Sequence, residues 1–268
     1  MYASSSGRLN EVGNEYFGRG LYAEAFSYYQ KALECDRQSA DTRGLMATLG
    51  NLGNICAVSG QRERADAYYR EALELQKRLG DEAAIGATLV NLGNLHADAR
   101  EWNRARAHYL EARDILDRLH DDTALAVLHS DLGLVARETG AFQEALQEYA
   151  RSLQLMRRTG NEGGVADAYR MMARTYGTRR MWEEGASCAQ TSLEIARRLR
   201  DDLRVAGAMY VLAGFREEQG RLEDAIQLFE RVVEYDRQYQ LPKLTENMDR
   251  LAALRARHAR EKGETDPA

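Results

Sequence analysis

A unit of roughly 40 residues repeats without a gap from about residue 9 to about residue 248, and this period constrains the fold more than any other feature of the chain. When the units are aligned, one column holds only small residues: Gly13, Gly53, Gly93, Gly133, Ala173 and Ala213. A second small column follows: Ala25, Ala65, Ala105, Ala145, Gly185 and Ala225. A third column is mostly aromatic: Tyr29, Tyr69, Tyr109, Tyr149, Ala189 and Phe229. Since every unit repeats the same small and large positions, we expect the units to stack and to bury their apolar faces on their neighbours.

Each unit carries two apolar stripes at helical spacing, separated by turn residues. In the second unit, Leu49, Leu52 and Cys56 lie on one helix face, and Gly60 is placed to end that helix. A second stripe then runs from residue 65 to residue 79, so the unit is predicted to be an antiparallel pair of helices. The chain has only two prolines and lacks β-branched runs, which indicates an all-α fold class, an α-solenoid of such pairs. The predicted helices are 9–19, 22–38, 42–59, 62–79, 82–99, 102–119, 122–139, 142–159, 162–179, 182–199, 202–219 and 222–239.

The period also divides the chain into parts. Residues 1–8 form an N-terminal extension, and the last unit is followed by an amphipathic helix at 249–262 that is expected to cap the stack, because terminal repeats need a polar outer side. Residues 263–268 are expected to form a frayed tail. The six units are 9–48, 49–88, 89–128, 129–168, 169–208 and 209–248.

Charge and composition exclude several classes of function. The formal net charge is -5 and shows no basic excess of the kind that binds phosphate backbones, so we expect no nucleic-acid partner. No segment resembles a signal peptide or a membrane span, and we expect no membrane partner. Cys35, Cys56 and Cys188 form no CxxC pair, and Cys35 lies in an apolar column, which favours reduced thiols and a cytoplasmic location.

Sequence motifs for chemistry are missing. The five histidines fall in different columns without metal-binding spacing, and the chain has no GxxxxGK[ST], GxGxxG or GxSxG motif. We therefore expect no metal, no cofactor and no enzymatic activity.

The columns resemble those of the tetratricopeptide repeat family, which has an aliphatic-Gly pair in the first helix, then an Ala and an aromatic residue in the second. The length of the unit and the strings at 51–54 and 91–94, both Asn-Leu-Gly-Asn, look like a longer-repeat subgroup that includes the LGN/Pins spindle-orientation adaptors and kinesin light chain. The resemblance implies a right-handed superhelix whose first helices line a concave groove for peptides. It implies no catalysis.

In such a groove, the free face of the first helices is predicted to have two chemistries. The N-terminal part is an asparagine ladder, in which each carboxamide can both donate to and accept from the backbone of an extended ligand. Asn51 and Asn91 have an alternative role, since they adjoin the packing column and can instead bridge neighbouring repeats. The predicted groove residues of these units are Asn10, Asn14, Asn51, Asn54, Asn91, Asn94 and Asp98.

The later units present a different set, in which Asp131 ends the ladder and Arg170, Arg174 and Tyr210 follow. A guanidinium group donates hydrogen bonds in pairs, so these arginines suit a carboxylate on the ligand. The alternative is a solvated face on which the arginines pair locally with Asp167 or Glu138.

These features favour a non-catalytic scaffold or adaptor that binds a peptide segment of a partner protein. Two alternatives stay open: a regulatory module that senses a peptide, and a scaffold that self-assembles into a homo-oligomer.

Overall fold

The computed structural model describes residues 5–263, and these residues form thirteen α-helices. The chain divides into two compact units, residues 1–121 and residues 122–268. The first unit contains α1 (Ser5–Gly18), α2 (Tyr22–Ser39), α3 (Thr42–Val58), α4 (Arg62–Leu79), α5 (Glu82–Asp98) and α6 (Trp102–Leu119). The second contains α7 (Asp122–Glu138), α8 (Phe142–Arg158), α9 (Glu162–Thr178), α10 (Trp182–Leu199), α11 (Asp202–Glu218), α12 (Leu222–Gln238) and α13 (Leu244–Glu261).

Helices pack in consecutive pairs within each unit. In the first unit, α1 packs on α2, α3 on α4 and α5 on α6, and neighbouring pairs join where α2 meets α3 and α4 meets α5. In the second unit, α7 packs on α8, α9 on α10 and α11 on α12, and α13 packs against α12. The first helices of neighbouring pairs also touch one another, as α1 and α3 do in the first unit and α9 and α11 in the second. The predicted all-α fold of stacked helix pairs is confirmed.

The small columns are explained by close helix contact. A Cβ atom added at Gly53 would overlap the ring of Tyr69, which lies on the second helix of the same pair and is 3% exposed. In the second unit, a Cβ at Gly133 would lie 2.7 Å from Cε1 of Tyr149. Real Cβ atoms do not approach so closely, so these positions must remain small for the aromatic side chain to fill the core.

Polar side chains cap the first helix of several pairs, as expected for the acidic and Asn residues between units. The backbone N–H of Ala84 donates to Asp81 Oδ1 at 3.1 Å, that of Gly164 to Asn161 Oδ1 at 2.8 Å, and that of Arg204 to Asp201 Oδ1 at 3.0 Å. Each bond satisfies an amide that has no partner inside its helix. The capping residues in the turns therefore determine where these first helices begin.

The ends of the chain differ from the expected helix bounds. The first helix begins at Ser5 rather than residue 9, so residues 5–8 belong to α1 and not to an extension, and the last helix begins at Leu244 rather than residue 249. The 40-residue frame that starts at residue 9 begins inside the first helix of each pair, whereas the helix pairs themselves start at residues such as Thr42 and Glu82. Of the predicted tail, residues 264–268 lie outside the described residues.

Candidate functional site

Three asparagines of the first unit are held by tyrosines of the aromatic column. In each helix pair the tyrosine hydroxyl donates to the Oδ1 of the asparagine that lies one residue after the packing glycine. The bonds join Tyr29 to Asn14 at 2.7 Å, Tyr69 to Asn54 at 2.8 Å and Tyr109 to Asn94 at 2.6 Å. Asn14 and Asn94 are exposed and Asn54 is partly exposed. Among residues 5–263, the Nδ2 groups of these three side chains have no hydrogen-bond partner, so each retains two free N–H donors.

The other asparagines of the ladder connect neighbouring helix pairs. Asn10 is buried, and its Nδ2 donates to Thr48 Oγ1 at 2.7 Å. Its Oδ1 accepts from Asn51 Nδ2 at 3.1 Å, and Asn91 Nδ2 donates to Asn54 Oδ1 at 3.3 Å. These bonds run from α1 to α3 and from α3 to α5, which agrees with the alternative, structural interpretation of Asn51 and Asn91.

The two acidic residues of the predicted set have different surroundings. Asp98 is exposed at the last residue of α5. Asp131 lies on α7 in the second unit, where burial raises the pKa of its carboxyl group to about 7. A carboxyl group with a pKa in this range changes its charge near neutral pH.

In the second unit, the two predicted arginines lie one turn apart on α9, but their pairing differs. Arg170 donates to Asp167 Oδ1 at 3.1 Å, and the same carboxylate accepts from Arg204 Nε at 3.0 Å. The guanidinium of Arg174 has no hydrogen bond or ion pair with any described residue, and its side chain is exposed. The local ion-pair alternative thus applies to Arg170 and not to Arg174.

Positive charge is in excess around Arg174. Desolvation lowers the pKa of Arg174, and the positive charges of Arg137 and Arg170 lower it further. Arg137 pairs with Glu138 at 2.6 Å, and Arg170 shares its carboxylate with another arginine. An anionic ligand at this place would relieve repulsion among the three guanidinium groups.

Next to these arginines is a cavity of about 310 Å³ with walls from α9, α11, α12, α13 and the turn before α13. It brings Arg170, Arg174 and Tyr210 together, as the sequence predicts. It also includes Lys243, whose Nζ lies 5.6 Å from the centroid of the Tyr210 ring, and Asn247. The cavity is therefore lined both by cationic side chains and by apolar and aromatic ones.

Lys243 and Asn247 are absent from the predicted set. A signal for them exists in the sequence, because they follow Leu203 and Gly207, two other lining residues, by one full period. Extending the alignment of units past residue 240 would have identified α13 as the first helix of a further unit, with a lining face as well as a capping role.

Other kinds of site receive no support from the described residues. Within residues 5–263, no helix has both the length and the apolar character needed to cross a membrane. The same residues contain no group of three or more His, Cys, Asp or Glu side chains placed to hold a metal ion.

Stacked helix pairs with small residues at their contacts define a helical-repeat protein. The family pattern described as tetratricopeptide repeat matches residues 8–78, 84–158 and 164–238, which is more than half of the chain. This chain belongs to the tetratricopeptide repeat family. The family fold is that of a protein-interaction module and is in general a non-catalytic scaffold.

Comparison with other proteins adds solved structures of the same fold. No curated protein matches the sequence. A signal transduction ATPase with numerous domains that has a tetratricopeptide repeat sensor, from Pyrococcus horikoshii, is similar over 97% of this chain and 39% of its own, with a TM-score of 0.83 and 15% identity. The chain thus spans about two fifths of that protein.

Two Rap proteins are also similar in structure. A Rap protein in complex with Competence and Sporulation Factor matches with a TM-score of 0.66 and 14% identity, over 97% of this chain and 78% of its own. The apo form of RapI matches with a TM-score of 0.70 and 15% identity, over 90% of this chain and 86% of its own. At these identities the likeness concerns the fold alone.

Proposed function

We propose that this chain is a non-catalytic adaptor that binds a peptide segment of a partner protein on the faces of its first helices. The observation that carries the proposal is the set of asparagines in the first unit whose Oδ1 is already occupied by a tyrosine hydroxyl. A carboxamide fixed through its oxygen loses little further freedom when its nitrogen donates to a ligand, so its donors are preorganised.

These donors suit an extended backbone. Backbone carbonyl groups are the acceptors that every peptide carries, so Asn14, Asn54 and Asn94 would hold a segment with little regard to its sequence. Each bond would contribute roughly 0.5–1.5 kcal/mol. In the second unit, Arg170 and Arg174 would contribute sequence preference by contacting an acidic group of a ligand.

The likeness to known structures is compatible with this role. One similar Rap protein is in complex with Competence and Sporulation Factor, which supports a ligand-binding use of the same fold. A second candidate is a regulatory module, which the likeness to a chain with a tetratricopeptide repeat sensor favours. A change in small-angle scattering on binding of a peptide would distinguish a sensor from a rigid adaptor.

The test begins with selection of random linear peptides on the wild-type protein, followed by affinity measurements by fluorescence polarisation. The informative variant is Asn54→Asp combined with Asn94→Asp, because a carboxylate still accepts from Tyr69 and Tyr109 but cannot donate. Loss of one hydrogen bond at each of the two positions should weaken binding by roughly five- to 150-fold, with little change in thermal stability.

The matched control is Asn103→Asp combined with Gln30→Glu, which adds the same two negative charges at exposed positions on α6 and α2. It should leave the affinity close to that of the wild type. The proposal is wrong if no peptide is selected, and the asparagine face is not the site if the double variant binds the selected peptides as tightly as the control does.

A further inference from the structure

The cavity of the second unit has a surplus of cationic groups. Arg174 and Lys243 have no carboxylate partner among residues 5–263, and Arg170 shares Asp167 with Arg204. The acidic residue in the lining is Asp236, which is 3% exposed and accepts from Asn247 Nδ2 at 2.7 Å. The accessible charge of the cavity is therefore positive, and its complement is an anion.

One wall of the same cavity is apolar. Leu203 is 55% exposed although it is a large aliphatic residue, and it lies beside the partly buried Val211 and the buried Val232 in the lining. An exposed leucine next to a concave apolar surface gains from being covered by another apolar group. The volume of about 310 Å³ is at the small end of ligand pockets, which suits roughly one or two amino-acid side chains.

A residue that lines the cavity also has a buried hydrogen-bond acceptor without a partner. Asn247 is 2% exposed, and its Oδ1 has no hydrogen-bond partner among the described residues, although its Nδ2 is bonded to Asp236. An unsatisfied buried oxygen is unfavourable, and a donor that approached it from the cavity would stabilise it. A peptide N–H is such a donor, whereas sulfate or an ionised carboxylate without an N–H only accepts.

From these three features we infer that the cavity is a peptide-recognition pocket within the second unit and that it takes a carboxylate adjacent to an apolar side chain. Arg174 and Lys243 contact the carboxylate, Leu203 and its neighbours cover the apolar side chain, and Asn247 accepts from the N–H of the bound segment. The inference rests on the proposed function, because it requires a peptide ligand.

Two peptide sources provide this chemistry, namely an Asp or Glu side chain next to an aliphatic residue, and the free carboxylate of a C-terminal apolar residue. The experiment uses two random peptide libraries, one joined to its carrier at both ends and one with a free C-terminus. Enrichment of acidic-aliphatic pairs in the first library, or of apolar last residues in the second, supports the inference and identifies the source.

The selected peptides are then measured against variants of exposed residues. Arg174→Gln should weaken their binding by at least about tenfold, because a charge-assisted hydrogen bond is lost. Arg231→Gln is the control, since Arg231 is exposed on α12, outside this cavity, and pairs with Glu234.

The apolar wall is tested in the same way. Leu203→Asn should weaken binding by about threefold or more and should reduce the preference for aliphatic residues in a repeated selection. Its control is Leu199→Asn, because Leu199 is 39% exposed and is not among the lining residues.

The outcomes separate the inference from the proposed function. If no peptide is enriched from either library, the proposed function fails and the inference with it. If peptides are enriched without a carboxylate beside an apolar residue, or if Arg174→Gln binds them as tightly as Arg231→Gln, the inference is wrong and peptide binding elsewhere on the chain stands.

Discussion

Removal of one tyrosine hydroxyl should have different effects on stability in two helix pairs that are consecutive in the sequence. Tyr109 OH donates to Asn94 at 2.6 Å. Tyr149 occupies the same column and is 0% exposed, but its hydroxyl has no hydrogen-bond partner among the described residues. The reason is in the sequence, because the residue that corresponds to Asn94 is Leu134.

The magnitudes follow from this difference. Tyr109→Phe removes a made hydrogen bond and should lower the free energy of unfolding by roughly 0.5–1.5 kcal/mol. Tyr149→Phe removes a hydroxyl that is desolvated without compensation, a state that costs roughly 1–3 kcal/mol, so this substitution should be neutral or stabilising. The same burial raises the pKa of Tyr149 to about 12.

A third variant converts one case into the other. Leu134→Asn places an acceptor at the position that Asn94 has in the preceding unit. In that background Tyr149→Phe should become destabilising by roughly 0.5–1.5 kcal/mol, as Tyr109→Phe is in the wild type.

The assay is urea denaturation followed by far-ultraviolet circular dichroism. The slope of the free energy of unfolding against urea concentration is compared between variants, because a shift of the midpoint reports stability only when this slope is unchanged. Amide hydrogen exchange in α6 and α8 assigns each effect to its own helix pair. If Tyr149→Phe destabilises the protein as much as Tyr109→Phe does, its hydroxyl has a partner in solution and the reasoning is refuted.

Two further predictions concern packing and pH. Gly93→Ala should destabilise α5, because its Cβ would overlap the ring of Tyr109 at a cost of roughly 1–3 kcal/mol, whereas Gly86→Ala in the same helix meets Leu116 at an ordinary 3.4 Å and should gain roughly 0.5–1 kcal/mol. Equal urea midpoints for the two variants would contradict this. Because the pKa of Asp131 is raised from 3.8 to about 7, the folded state binds its proton more tightly than the unfolded chain, and the stability from this group should fall as pH rises through that range. Asp131→Asn should flatten the dependence of the urea midpoint on pH, and an unchanged profile would show that Asp131 does not titrate there.

The fold could be predicted from the sequence because the aligned small and aromatic positions of the units are the positions at which the helices contact each other. A glycine such as Gly53 is required wherever an aromatic residue fills the space between two helices, and Tyr69 follows it at a fixed distance in the chain. Helix ends could be predicted where capping residues such as Asp81 recur. The start of α1 at Ser5 could not, because the repeated columns are recognisable only from about residue 9 and give no signal for the first turn of this helix.

The site was predicted less completely because the role of a surface side chain depends on what lies beside it. Asn10 and Asn14 are both on the first helix, but the first is buried against Thr48 and the second is exposed and held by Tyr29. The helical pattern places both asparagines near the groove. It does not say which groups of each carboxamide remain free for a ligand.

The position of Arg174 shows how loss of a packing residue can leave the side chain of a proposed binding residue without a partner. Arg174 stands in the column of Asn14, Asn54 and Asn94, where a tyrosine hydroxyl would normally fix the side chain. In its own helix pair the aromatic position is Ala189, which has no hydroxyl and leaves the side chain at that position without its usual partner. A guanidinium placed there keeps all its donors, whereas each asparagine of the column has given up its oxygen. Ala189 at the aromatic position departs from the repeat pattern of the core. Because it has no hydroxyl, it leaves Arg174 without the usual partner, and the proposed recognition of a carboxylate depends on this arginine.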